Sequence, residues 1–286
     1  MQSRHSGWTL VAEIVVVLLV LAVPTVAAAT EPCGGLGECR AIVEINATDG
    51  DIGFHWLADA DDLRGTEIVD AHGERIFANT VTGGLRRQGL TESFGESSEP
   101  KCRASLREEP DDPVVTVAQF VRRFPAGPYL FRGFATDGST LRGRTPLTHW
   151  LPAAPRDVDF AGGVITWQAG ASLGVCASER ELWSLVDAGV LPVHPVNVPV
   201  VSWEVTLELE DDLHRAFTVR VPARGAAAQT SVTVPPEFLY SVPPDTPAKI
   251  EVGAVGGRLD IGDDDNATFT ELVGLCLHRV HGCAAD

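Results

Sequence analysis

Gly170-Ala171-Ser172-Leu173-Gly174 reproduces the G-x-S-x-G pattern of a nucleophile elbow. That motif exposes a serine on a strained turn between a strand and a helix, so that a histidine can take its proton. A strand-like run precedes it and a helical stretch follows. Asp187 or Asp212, with His214 or His278, are the residues left to complete a triad. An elbow needs a parallel sheet beneath it, and the chain shows no alternating strand and helix units to build one. The competing reading is a loop of small residues after a strand. Ser172 therefore stands as the candidate nucleophile of a secreted hydrolase, an alternative to a non-catalytic protein.

A second constellation closes the chain: Cys276, His278, His281 and Cys283. Two thiolates and two imidazoles form a legitimate zinc or copper set. The spacing matches no common zinc module, and disulfide formation competes for the sulfurs. Acidic turns form a third group: Asn46, Asp49 and Asp51; Asp59, Asp61 and Asp62; Asp263, Asp264, Asp265 and Asn266. Oxygen-rich loops can hold calcium, but none follows the EF-hand pattern. Solvated turns that keep hairpins soluble and edges unsticky account for them better, so no metal and no cofactor is assigned. His55, His72, His149, His194 and His214 lack helical pairing and read as strand or loop residues. Trp56, Trp150, Trp167, Trp183 and Trp203 read as packing. Trp150 and Trp183 are the candidates for an exposed ligand surface, with a glycan as the ligand an aromatic platform would take.

Composition narrows the partners. The formal charge of −17 repels phosphate backbones and anionic lipid, which disfavours nucleic acid and peripheral membrane binding. A hydrophobic content of 44% is enough for a sizeable core.

Compartment is read from the N-terminus. Arg4 and His5 precede an unbroken apolar run from Ile14 to Val23, then Pro24 and Ala27-Ala28-Ala29. This is the pattern of a secretory signal with an A-x-A exit after Ala29. The run is short for a span, although an uncleaved membrane anchor is the alternative. Cleavage leaves 257 residues, enough for one large or two ordinary domains. A secreted or periplasmic chain with six cysteines is expected to form disulfides. The expected pairs are Cys33–Cys39, Cys276–Cys283 and Cys102–Cys176.

The elements that must position these residues are strands. Alternation is clearest where Val205, Leu207 and Leu209 interleave with Glu204, Thr206, Glu208 and Glu210. One face of such a strand is packed and the other wet, as an antiparallel sheet requires. His72-Gly73 and Asp137-Gly138 mark hairpin turns. Val115–Phe124 and Ser178–Val186 carry the helical signals, and Ser93–Pro113 reads as a long polar loop. The expected fold is all-β: two antiparallel β-sandwich domains with a helical insertion after the second strand of the second. The expected boundaries are a signal peptide at 1–29, a disulfide-bearing segment at 30–40, a first sandwich at 41–150, a Pro-rich linker at 151–155, a second sandwich at 156–276 and a tail at 277–286.

The stretch from Pro155 to Leu275 resembles a fibronectin type III domain. The resemblance rests on Trp167 in an early strand, on Thr233-Val234-Pro235-Pro236-Glu237-Phe238-Leu239, and on Pro244-Asp245-Thr246-Pro247-Ala248-Lys249-Ile250-Glu251-Val252. Ala248 stands where that family usually has a corner tyrosine, and the loop Ala169–Pro199 is longer than usual. The first half, with Glu44–Asp49 and Gly127–Gly133, looks like the N-terminal part of secreted bacterial proteins that carry one such domain. The near-absence of lysine points to a GC-rich bacterial genome, in which the sequons at Asn46 and Asn266 would be idle. The resemblance implies no activity. The expected function is that of an exported, non-catalytic module that binds a protein or glycan partner of the cell envelope or exterior through the loops at its sandwich ends, especially Ala169–Pro199, a role that rigid sandwiches with variable loops suit. A calcium-stabilised or glycan-binding envelope protein is the further alternative.

Overall fold

The computed structural model describes residues 33–210, 212–258 and 266–277. The secretory segment, Asp263, Asp264, Asp265, His278, His281 and Cys283 lie outside the described residues. So do the side chains of Asp212 and His214.

The chain is built mainly of strands. In order they are β1 (Glu38–Asn46), β2 (Asp51–Val69), β3 (Arg75–Ala78), α1 (Gly83–Gln88), β4 (Leu90–Glu96), α2 (Val117–Arg123), β5 (Gly127–Ala135), β6 (Thr140–Leu147), β7 (Arg156–Ala161) and β8 (Val164–Gln168). Then follow α3 (Glu179–Asp187), β9 (Val200–Leu209), β10 (Asp212–Pro222), β11 (Ser231–Thr233), α4 (Pro236–Ser241), β12 (Pro247–Gly256) and β13 (Asn266–Cys276). One large sheet runs β10-β9-β12-β13-β1-β2-β5-β6, with β3 and β4 attached to β2. A small sheet runs β11-β8-β7. Among the described residues no helix is long and apolar enough to cross a membrane.

Local chemistry accounts for three of the hairpin turns. The Asn46 side-chain oxygen accepts from the amides of Thr48 at 2.9 Å and Asp49 at 3.0 Å, which turns β1 into β2. Asp70 does the same for His72 and Glu74 between β2 and β3. Asp137 accepts from the Ser139 amide in the β5–β6 hairpin. Both longer helices start on a reciprocal capping box, Thr116 with Gln119 for α2 and Ser178 with Glu181 for α3.

Alternation then separates two cores. In β1, Ala41, Val43 and Ile45 are buried and join Phe54, Leu63, Phe120 and Phe131 in the first. The second core lies between the small sheet and strands β9 and β12. Ile165 and Trp167 meet Trp203, Val205, Leu207, Ile250 and Val252 there, with the two indoles edge to face at 6.0 Å.

Several features depart from the expected pattern. The large sheet is mixed, because β1 lies parallel to β13 with Glu44 opposite Ala267. Residues 151–155, expected as a stiff linker, are all buried. Part of the expected polar loop is strand β4, an edge whose charged residues hid its alternation. Phe238 and Leu239, at the turn end of the stretch Thr233–Leu239, lie on the short helix α4. The insertion at 169–199 packs onto the first core through Leu173, Leu182 and Leu191, although in sequence it separates two strands of the second.

Asn266 joins the two halves. It is fully buried. Its side-chain oxygen accepts from the Val43 amide at 2.8 Å. Its amide nitrogen donates to the Thr148 carbonyl and hydroxyl, both at 3.1 Å, and to the Trp150 carbonyl at 3.2 Å.

Candidate functional site

The structure explains the G-x-S-x-G residues by packing. A Cβ on Gly170 would lie 1.9 Å from the Ala154 carbonyl oxygen. One on Gly174, which has φ +58°, would lie 2.0 Å from the Ala47 carbonyl oxygen. Both glycines let the backbone approach closely, and the Val175 amide donates to Ala47 there. The Ser172 hydroxyl accepts from the Gly174 amide at 3.3 Å, a local turn bond. The strand before it, β8, belongs to the small antiparallel sheet. Asp187 sits at the end of α3.

The cysteines are bonded. Cys33 pairs with Cys39, and Cys102 with Cys176. Cys276 is disulfide-bonded as well. Such bonds belong to an oxidising, extracytoplasmic environment.

The acidic turn between β1 and β2 is committed locally. Asn46 caps its own turn, and Asp51 pairs with Lys101 at 3.4 Å. Among the described residues no group of three or more His, Cys, Asp or Glu is placed to hold a metal ion. The Trp150 ring is half-buried, with the Arg258 guanidinium 5.8 Å from its centroid. Trp183 is 45% exposed and stacks on buried His194 at 4.2 Å. The His194 ring is held at both nitrogens, donating to the Glu179 carbonyl and accepting from the Val196 amide.

The side chains that converge most are elsewhere, on the wet face of the large sheet. Alternation puts Arg40, Ile42 and Glu44 of β1 on that face, beside His55 and Leu57 of β2 and Phe94 and Glu96 of β4. On the other flank lie Ala267 and Phe269 of β13, Glu251, Gly253 and Val255 of β12, Glu204 of β9 and Arg220 of β10. Two hollows share Arg40 and Ile42 as their divide. One, of about 570 Å³, is bounded by Leu57, Trp56, Phe94 and Glu96. The other, of about 210 Å³, is bounded by Glu44, Glu204, Glu251 and Phe269. Phe94 is 74% exposed, an unusual position for a phenylalanine.

The charges here are unevenly matched. Arg40 pairs with Glu38, and Arg220 with Glu204. Lys249 faces Glu251 at 2.8 Å and Glu208 and Glu271 at 3.5 Å. Burial lifts the Glu44 carboxyl above its ordinary range, and the charges of Glu99, Glu204 and Glu251 lift it further against the pull of His55. His55 has Glu99 3.4 Å from Nε2, and Glu96 and Glu44 3.9 and 4.0 Å from Nδ1. Burial alone would lower its pKa. The Glu99 hydrogen bond and the three carboxylates outweigh burial, so the net direction is up.

That direction makes a pH prediction. A histidine whose folded pKa is raised gives its full stabilisation below its unfolded pKa of about 6.5, and loses it as pH rises through the folded value. Thermal unfolding of the wild type and of His55→Gln, followed from pH 6 upward, should show the wild-type advantage shrinking as pH rises through the raised folded pKa of His55. A constant gap across that range would show that the imidazole is not charged in the fold.

No family model matches the chain, and no curated protein matches it. Among solved structures, one described as "Biofilm associated protein - BSP domain" is similar at 12% identity and a TM-score of 0.22, over 86% of this chain. This chain spans 30% of the length of that one.

Sequence reasoning missed this face. Its residues come from separate strands between Glu38 and Phe269, and only the β-sheet brings them together. The one available signal was the alternation, which assigns a wet side to each strand without saying that the wet sides join.

Proposed function

We propose that this chain is an exported, non-catalytic binding module that recognises its partner on the outer face of the large sheet. The observation that carries the reading is exposed Phe94 beside a hollow of about 570 Å³, within a face rimmed by carboxylates. Loops at the sandwich ends were the expected surface. The longest of them, 169–199, instead commits its leucines to the first core. Export is supported by the Ile14–Val23 run with its A-x-A exit, and by disulfides that need an oxidising compartment. A fibronectin type III-like scaffold is supported by strand order: three strands, β11-β8-β7, share a core with β10-β9-β12-β13.

Co-purification from the native envelope tests the reading. The mature chain and Trp183→Ser should recover the same partner. Phe94→Asp should lose it about 30-fold, the effect of removing a hot-spot aromatic worth about 2 kcal/mol. Equal recovery by Phe94→Asp would overturn the assignment of the face. Covalent labelling of Ser172 by a serine-directed phosphonate would overturn the non-catalytic reading.

A further inference from the structure

Among the described residues, strand β4 is hydrogen-bonded on one edge only, to β2. The Ser97 amide donates to the Phe54 carbonyl at 2.8 Å, which sets the phase of the β2–β4 ladder. In an antiparallel pair, alternate residues turn their backbone groups toward the partner strand. Ser93, Gly95 and Ser97 therefore face β2, opposite Ala58, Trp56 and Phe54. Glu92, Phe94 and Glu96 turn their N–H and C=O groups away from it. Among the described residues none of these outward groups meets another backbone group. The same three residues point their side chains onto the outer face, in the order acid, aromatic, acid.

Edge strands are normally kept from pairing by charge, and Glu92 and Glu96 do this against another copy of a chain carrying −17. They do the opposite for a cationic strand. Phe94 is not a protective residue: it adds an apolar contact beside Leu57 and Ile42 on the same face. We propose that β4 receives an added strand from a partner protein, an extended segment with the side-chain order basic-x-apolar-x-basic. The apolar residue lies opposite Phe94, over the hollow, and the two basic residues lie opposite Glu92 and Glu96. Cross-strand pairs of this kind give the contact its register, and the backbone bonds supply affinity. The inference rests on the outer-face reading and adds to it the edge, the partner's conformation and its charge order.

The test uses the mature chain and the peptide acetyl-Thr-Lys-Thr-Val-Thr-Lys-Thr-amide. Two control peptides accompany it, one with both Lys replaced by Glu and one N-methylated at the amides that would bond to β4. Binding is read by titration calorimetry and by amide exchange. The lysine peptide should bind about tenfold more tightly than either control, and should slow exchange at Glu92, Phe94 and Glu96. The surface double variant Glu92→Lys/Glu96→Lys should reverse the preference toward the Glu peptide. Equal binding of the N-methylated peptide, with shifts at Ile42 and Leu57 but no protection along β4, would overturn strand addition and keep the outer face as the site. No binding of the lysine peptide would also overturn strand addition, and the co-purification result would still decide the face.

Discussion

Replacing Asn266 by alanine should lower stability by about 3–5 kcal/mol, since it strands several buried backbone groups at once. The Val43 amide loses its acceptor, and the carbonyls of Thr148 and Trp150 lose their donor. Each stranded group costs about 1–3 kcal/mol, and a void left by the side chain adds to the loss. For a chain of this size that is a fall of roughly 10 °C in Tm. Asn266→Asp should be no better, because a carboxylate would then face two carbonyl oxygens with no proton to give. Urea unfolding of both variants measures the effect. A loss below about 1 kcal/mol would show that the join between β1 and β13 does not depend on this side chain.

Removing the Cys102–Cys176 bond should be comparably severe. The bond closes a separation of 74 residues, for which chain entropy alone gives about 4.4 kcal/mol, against about 2.2 kcal/mol for the six-residue separation of Cys33 and Cys39. It also ties the insertion to the first core. Arg103, beside Cys102, donates to the Cys176 carbonyl and pairs with Glu181 at the start of α3. The Glu181 carboxyl is held down at about 2 by the hydrogen bonds from Arg103 and Ser178. The double variant Cys102→Ala/Cys176→Ala should therefore lose stability globally and admit protease first between residues 187 and 199. Comparable losses from the double variant and from Cys33→Ala/Cys39→Ala would argue against the loop-length account.

Much of this was legible in the residues. The Val205–Leu209 alternation, the Asp137-Gly138 turn and the Leu182, Leu185, Val186 spacing each named an element that the structure contains. These are short-range signals, in which period and turn chemistry act within ten residues. What stayed hidden acts across the chain. Asn266 sits in a sequon beside an acidic run, where it looks like a turn residue, and its partners are more than a hundred positions away. The glycines of G-x-S-x-G left a nucleophile elbow and a small-residue loop both open, because spacing alone cannot show that carbonyls of Ala47 and Ala154 press against them. The Leu182 face announced a helix without saying which core would take it. The outer face was the least visible of all, because its carboxylates are spread one or two to a strand.

Pairing β1 with β13 also sets a timetable for the molecule. β1 is made well before β13, since β2 to β12 all lie between them in the sequence. Until the C-terminal strand arrives, the flank of β1 that it covers stays open, and so does the Val43 amide that Asn266 will occupy. The N-terminal half must wait as an incomplete sheet with an adhesive border. Contacts this distant in sequence form slowly, which leaves a window in which chaperones or a neighbouring nascent chain compete for the vacancy.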